Sequence, residues 1–517
     1  MVVDGSVRVA VRRAVAVAER RRGSAPLLVL YGVAATIGVA VAARLPWLGD
    51  TGLHVAVIEQ LGRHLGDPLD PLVGTDAVSP YYSPYTLIQA VIAHTAGVSA
   101  TGVLRGSALV NALLIASGLH HLVRRLSPAR WAPPLVLASI LLLQGGSVLI
   151  WSGFFGLTSL VVGLSYPSAF ALGVTLHLWG LIAGRLNGRG GAWVYPVAGL
   201  LAADVALDHQ FTAVEAALGC VALVIANWRR LTLTAVAGWS VAVAVAALAL
   251  AVWPYFSVLT LLSSAAGMDP IHQALYQHVF ADFGLALVTG VPVLVLRFAR
   301  RRTDPLVWLF LLSSAPVTYG FVSGHYSWGR VWPAVLLAGQ LAVGIEAAER
   351  LAAGPREIRA YVAGAALTTC LMGLWTQSGA LEYFTALPAA LRAHVSVDRS
   401  WGPYSFVTDW VRPGQTVLAG TYHSARLVPA DRIFTVKPAY PEPWLPSFRQ
   451  RVADQHAILD PATSHARRAA LLAEYHVRYL IIYRSEAHWL RQTGSHLHEL
   501  GHSGQFPRDV LYRVVKA

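Results

Sequence analysis

The sequence predicts a mainly α-helical, polytopic membrane protein of about eleven transmembrane helices, with a C-terminal α/β domain outside the membrane. Three observations carry this. Of 517 residues, 55% are hydrophobic and only 13% are charged, where a soluble domain typically holds about 25% charged residues. Eleven apolar runs are separated by arginine clusters that fall in alternate connections. From about residue 400 the long apolar runs stop and mixed helix and strand patterns begin.

A spanning helix needs about 20 predominantly apolar residues. The first run, 27–45, follows a basic segment, 1–26, that holds Arg12, Arg13 and Arg20–Arg22. Its length and the Arg44 flank favour a retained anchor over a cleaved leader. The other runs are 101–123, 131–150, 166–184, 193–207, 211–228, 231–252, 283–299, 304–322, 331–349 and 360–377. Arginine pairs or groups follow the second, fourth, sixth, eighth and tenth runs, from Arg124-Arg125 to Arg356 and Arg359. All five share a side with the N-terminus, which the positive-inside rule makes cytoplasmic. Loops 46–100, 253–282 and 323–330 and everything after about residue 378 are then extracytoplasmic, across a plasma or inner membrane. The apolar, Gly-rich stretch 151–165 either extends the third helix or forms a re-entrant turn. The expected domains are the membrane domain 27–377, a linker 378–399 and the outer domain 400–517.

A loop longer than about 12–15 residues in a compact region is usually functional or structured, and 46–100 shows both signs. Leu53, Val57, Leu61 and Leu65 recur at four-residue spacing, the pattern of an amphipathic helix at a membrane surface. A second apolar run covers 85–98, after the aromatic run Tyr81-Tyr82-Ser83-Pro84-Tyr85. In the outer domain, Thr416–Ala419, Val477–Tyr483 and Val510–Val515 read as strands. Residues 463–475 read as a helix capped by Thr463 or Ser464. Trp401, Trp410, Trp444 and Trp489 read as core rather than as stacking platforms.

Composition also excludes. A mean hydropathy of +0.52 rules out a disordered chain and an ordinary cytosolic enzyme. The net charge of +13 sits in the alternate connections and not in an aromatic-interleaved stripe, so nucleic acid is not an expected partner. Cys220 and Cys370 lie in apolar runs, which argues against a disulfide framework. The Arg-for-Lys, Ala- and Val-rich bias points to a GC-rich bacterial source.

The candidate chemistry gathers at the outer rim. Asp50 follows the first helix, where a carboxylate can take a proton from a hydroxyl or simply cap the next helix. His54 is one turn on. Asp208-His209 joins two apolar runs, where ionisable groups are rare and often functional, although a polar interfacial turn is the plainer reading. Glu215, within the sixth run, is expected to face the bundle. His272 and His278 are six apart, a poor metal spacing. Arg330 stands in an outer loop against the charge bias. Its fork suits a phosphate, or it snorkels to the interface.

This pattern resembles the GT-C superfamily of integral-membrane glycosyltransferases. The likeness rests on Gly49-Asp50 with His54 after the first helix and on the long first loop with two surface helices. It rests also on Gly329-Arg330-Val331-Trp332-Pro333 before a late helix and on the stretch from Arg468 to Ile482. The architecture is more specific than these short motifs. The resemblance implies a polyprenyl-phosphate-linked sugar donor, an extracytoplasmic glycan, lipid or protein acceptor, and inversion with Asp50 as general base. It implies that Arg330 binds the donor phosphate, with His54, Tyr82, Asp208, His209 and His272 as further substrate-binding candidates. Thr51 stands where mannosyltransferase-like members carry a second acid. A second carboxylate, if used, comes from Glu59, Asp67, Asp70, Asp76 or Asp208. No cofactor is expected, and these acids form no clear ligand set for a divalent metal.

Two other classes compete. A transporter or flippase predicts two related halves with broken helices and midplane charges, which the sequence lacks. A non-catalytic scaffold predicts that Asp50 and Arg330 are dispensable.

Overall fold

The computed structural model describes residues 4–262, 265–384, 388, 390, 400–402 and 404–515, with backbone alone for 4–23, 261, 262, 265 and 266. Most of the expected linker 378–399 and the side chains of the basic segment lie outside the described residues.

Eleven helices fall on the eleven apolar runs. They are α1 (Asp4–Arg44), α4 (Ala100–Leu126), α5 (Ala132–Leu142), α7 (Pro167–Leu186), α8 (Val194–Asp208), α9 (Gln210–Ala226), α10 (Leu233–Ala251), α13 (Val279–Arg300), α14 (Pro305–Ser323), α15 (Trp332–Ala353) and α16 (Arg356–Gln377). Between them lie α2 (Thr51–Arg63), α3 (Pro84–Ala96), α6 (Leu157–Gly163), α11 (Val258–Leu262) and α12 (Asp269–His272). Among the described residues, eight helices are long and apolar enough to cross a membrane. α5, α8 and α9 have 11, 15 and 17 residues. The bundle core runs from Leu30 on α1 through Leu119 on α4 and Val136 on α5 to Leu341 on α15.

The third run was expected to stay helical to residue 150, but α5 stops at Leu142. Gly145 explains the break. A Cβ there would lie 2.2 Å from the carbonyl of Asp282, so the chain turns against the start of α13. It then runs irregularly to α6 and lines a cavity, the setting in which such backbone is tolerated in a membrane protein.

The first loop also differs from expectation. α2 is not spread on a lipid surface. Leu53 packs with Leu72 and Leu445, Val57 and Leu61 with Tyr82 and Ala90, and Ile58 with Leu45 and Leu104. The helix is wedged between the bundle and the C-terminal domain. Gly52 permits this, because a Cβ there would sit 2.3 Å from the backbone oxygen of Arg426. Only α3 keeps an apolar outer face, at Ile88, Val91 and Ile92. Its Ser83–Thr86 capping box sets its start and Gly97, at φ 64°, its end.

The C-terminal domain holds a five-stranded sheet, β1 (Thr416–Ala419), β2 (Phe434–Thr435), β3 (Tyr479–Ile482), β4 (Leu497–His502) and β5 (Val510–Val514), in the order β2-β1-β3-β5-β4. β1 is parallel to β2 and β3, and β5 is antiparallel to β3 and β4. The short β2 and the polar β4 (LHELGH) carried no strand signal in the sequence. Leu418, Leu480 and Tyr512 face one core with Leu471 and Leu490, and Val417, Ile481 and Leu511 face another with Val407. Burial on both faces explains the unbroken apolar runs of β1 and β3. Ser464 caps the helix His465–Glu474 as expected. Buried Arg468 donates to the carbonyls of Ile458, Asp460 and Thr463 and ties this helix to the preceding turn. Of the four tryptophans read as core, only Trp444 is buried, while Trp410 and Trp489 are exposed.

Candidate active site

A cavity of about 2180 Å³ lies between the bundle and the C-terminal domain. Parts that build it include the turn after α1, the irregular stretch before α6, the α8–α9 and α14–α15 connections, and the loops after β1 and β2. Trp444 fastens the two sides, with its indole donating to the carbonyl of Ser257 and its ring edge against Phe256.

Asp50 stands at the position that should cap α2, yet its side chain makes no capping bond. The turn is held instead by Tyr166, which donates to the carbonyl of Leu48 at 2.5 Å and contacts the Thr51 hydroxyl at 2.9 Å. The carboxylate is therefore free to face the cavity. There Oδ1 accepts from the Tyr440 hydroxyl at 2.9 Å, and Arg426 Nε lies 3.8 Å away. Burial raises the Asp50 pKa above the usual carboxylate range, opposed in turn by the charge of Arg426, the Tyr440 bond and the charge of Arg330.

Arg330 does not snorkel. It is buried, with Nη2 donating to the Ser152 carbonyl at 2.7 Å and its guanidinium 4.5 Å from the Phe211 ring and 5.6 Å from Trp151. Its Nε has no hydrogen-bond partner. Its electrostatic neighbours are Glu215, Tyr440 and Asp50, and Glu215 is buried, facing the bundle as its sequence position implies. Arg426 is the counterpart on the other wall. It too is buried, stacked 3.7 Å from Tyr422 and 4.8 Å from Tyr440, and its Nε also lacks a hydrogen bond. Two arginines held by aromatic faces thus line the cavity, Arg426 beside Asp50 and Arg330 within reach of Glu215 and Asp50.

The other candidates separate. His54, His209 and His272 all line the cavity. Burial first, with Arg330 adding to it for His209 and His272, pushes them to about 4, 3 and 3, so all three rings are neutral near neutral pH. His209 Nδ1 accepts from the Thr212 amide at the start of α9, which leaves Nε2 for a ligand. His272 bonds Ser327 at 3.3 Å, while His278 lies at the N-cap of α13 and is exposed. Asp208 Oδ1 accepts from the Tyr85 amide at the start of α3, and Oδ2 is buried without a partner. Tyr82 does not line the cavity: it is buried beneath α2 and donates to the Leu69 carbonyl, and Tyr81 faces the cavity in its stead.

Of the acids named as second carboxylates, only Asp208 lines the cavity. Asp70 is buried and accepts from the amides of Leu72 and Val73. Its neighbour Glu442, on the cavity wall, was not singled out in the sequence. Burial first, and then the charge of Asp70, raises its pKa. Among the described residues no group of three or more His, Cys, Asp or Glu is placed to hold a metal ion. Arg426, Tyr440 and Glu442 lie in a stretch where polar residues are ordinary, so no pattern marked them.

The cavity continues to the carboxyl ends of β1 and β3, where Gly420, Thr421, Gln455 and Glu486 line it. The chain leaves β1 toward β2 on one side, and β3 lies on the other. In open parallel sheets this switch point is where ligands sit.

No protein-family model and no curated relative matches the chain. Solved structures do. An Archaeoglobus fulgidus oligosaccharyltransferase in complex with Zn and sulfate aligns at a TM-score of 0.53 and 13% identity, over 94% of this chain and 73% of that one. ArnT from Cupriavidus metallidurans bound to undecaprenyl phosphate aligns at 0.53 and 13%, over 94% and 97%. The mycobacterial arabinofuranosyltransferase AftD aligns at 0.52 and 15%, over 94% of this chain and 40% of that one. At 13–15% identity the likeness is one of fold: the chain shares the architecture of these three transferases.

Proposed function

We propose that the chain is a membrane glycosyltransferase that moves a sugar from a polyprenyl-phosphate carrier to an extracytoplasmic acceptor with inversion. The observation that carries this reading is Asp50, a carboxylate not spent on capping, with Arg426 beside it and Arg330 within electrostatic reach. The acceptor hydroxyl oxygen forms the new bond to the anomeric carbon as the bond from that carbon to the phosphate oxygen breaks. The hydroxyl proton passes to Asp50, and the electron pair leaves on the phosphate. Arg330 meets the charge that grows there, where fixed donors contribute most to catalysis. Arg426 and Tyr440 favour the ionised form of Asp50, which burial disfavours. Neutral His54, His209 and His272, which line the cavity, offer hydrogen bonds to sugar hydroxyls. The carboxyl edge of β1 and β3 is the route by which an acceptor reaches the cavity.

Domain organisation and orientation follow from the same reading. The C-terminal domain, from about residue 400, and the cavity face the extracytoplasmic side. The helix ends that carry Arg124, Arg185, Arg229 and Arg300 face the cytoplasm, in keeping with the charge rule. The enzyme is tested by incubating it with a panel of polyprenyl-phosphate sugars and measuring release of polyprenyl phosphate, with Asp50→Asn beside it. Release that falls about 10²–10⁴-fold in the variant, the usual worth of a general base, supports the reading. Equal release by both removes Asp50 from the mechanism, and no release from any donor with any acceptor favours a scaffold.

A further inference from the structure

A second cavity, of about 520 Å³, lies at the end of α4 remote from Asp50. Asn111, midway along α4, donates to Tyr85 near the first cavity. Arg125 is 14 residues further on, about 20 Å at a rise of 1.5 Å per residue. His120, His121, Arg124, Arg125, Ser127 and Arg189 line this cavity, and no carboxylate does. The nearest acid contact is Glu349, which accepts from the Ser127 hydroxyl at 2.7 Å. Arg124 is partly used, donating to the carbonyls of Pro128 and Ala129. Arg125 Nε and His120 Nδ1 are buried with no hydrogen-bond partner.

The site is also given room by the facing helix. α7 carries glycine where a Cβ would lie 2.7 Å from His121 Nδ1 (Gly180) and 3.4 Å from Arg125 Nε (Gly184). The gap at Gly180 lets the His121 imidazole turn inward between α4 and α7, while a Cβ at Gly184 would only touch the Arg125 guanidinium. Arg125 is half-buried and no described carboxylate lines the cavity to balance it, and a guanidinium fork fits a phosphate. Basic pockets between membrane helices on this side suit lipid head groups.

We infer that the cleft formed by His120, His121, Arg125 and Arg189 between α4 and α7 is a binding site for a phosphate group, carried by an anionic lipid head group or free in solution. It is independent of the catalytic reading, because it lies at the opposite end of the bundle.

The test uses the full-length protein in nanodiscs of phosphatidylcholine, with and without phosphatidylglycerol, and counts retained lipid by native mass spectrometry. A third arm adds inorganic phosphate to the neutral discs and follows thermal stability. The variants are Arg125→Gln with Arg189→Gln, Arg189→Gln alone, and Arg229→Gln, an exposed arginine stacked on Trp228 outside the cleft. Retention of phosphatidylglycerol that drops roughly ten-fold in the double variant and not in Arg229→Gln supports a lipid head group. Stabilisation by phosphate alone, lost in the double variant, supports the free anion. Arg189 lies in the exposed connection after α7, so the single variant keeps the bundle intact and should still lose part of the effect. Equal retention in all variants, or no retention and no response to phosphate, overturns the inference.

Discussion

The two walls of the main cavity differ in origin and in legibility. The bundle wall supplies Asp50, His54, His209, His272 and Arg330, and the C-terminal wall supplies Arg426, Tyr440 and Glu442. These five residues of the first wall were singled out in the sequence, because a polar group beside an apolar run stands out and needs an explanation. None of the three named on the second was, because polar residues are the background of a soluble domain. Yet the shortest contacts of Asp50 are to the second wall, at 2.9 Å to Tyr440 and 3.8 Å to Arg426. A sequence can therefore mark half of such a site, and packing between domains decides the other half.

This division of labour can be broken most directly on the bundle side. With the activity established and Asp50→Asn inactive, Arg330→Gln is expected to lower kcat by about 10²–10³-fold, the worth of one donor at a developing oxyanion. Arg330→Lys should recover only part, since an ammonium cannot reproduce the fork held over Phe211 and Trp151. A change confined to KM would mean that Arg330 holds the donor without stabilising the leaving phosphate. On the C-terminal side, Arg426→Gln is expected to cost about ten-fold or more in kcat/KM, as loss of a charged partner does. It should also shift the pH profile. The guanidinium favours the ionised form of Asp50, so its removal raises the Asp50 pKa further, and the acid limb of kcat/KM moves to higher pH. An unchanged limb would reduce the second wall to packing.

How much was legible follows the same physics. All eleven long apolar runs became helices, since hydrophobic length and arginine placement are local signals. The early stop of α5 was not legible, because Gly145 is needed for an approach to α13, which lies more than 130 residues away. α2 was read as a helix from its four-residue spacing, but its burial depends on Gly52 meeting Arg426 across the domain boundary. Sheet positions followed where strands are buried on both faces, as in β1 and β3. They failed for β2, two residues long, and for β4, which has exposed polar positions. Asp50 was legible as a candidate, but only the absence of a capping bond separates a base from a cap.

The smallest expected effect discriminates best between the two roles of the C-terminal wall. Tyr440→Phe removes one hydroxyl and leaves the ring that supports Arg426 at 4.8 Å. Packing, charge and the arginine are retained, so a wall that acts only by shape predicts no change. If the second wall acts by favouring ionised Asp50, Tyr440→Phe loses a hydrogen bond to the carboxylate, worth about 1.5–3 kcal/mol to a charged group before solvent replaces it, and also the hydroxyl's contact with Arg426. The expected outcome is a fall in kcat/KM of a few-fold near neutral pH. The acid limb should move upward by less than in Arg426→Gln, with the alkaline activity close to wild type. Because both residues act on one carboxylate, the double variant should shift the limb by an amount different from the sum of the two single shifts. A limb that stays in place in both single variants would mean that Asp50 is not the point at which the two walls meet.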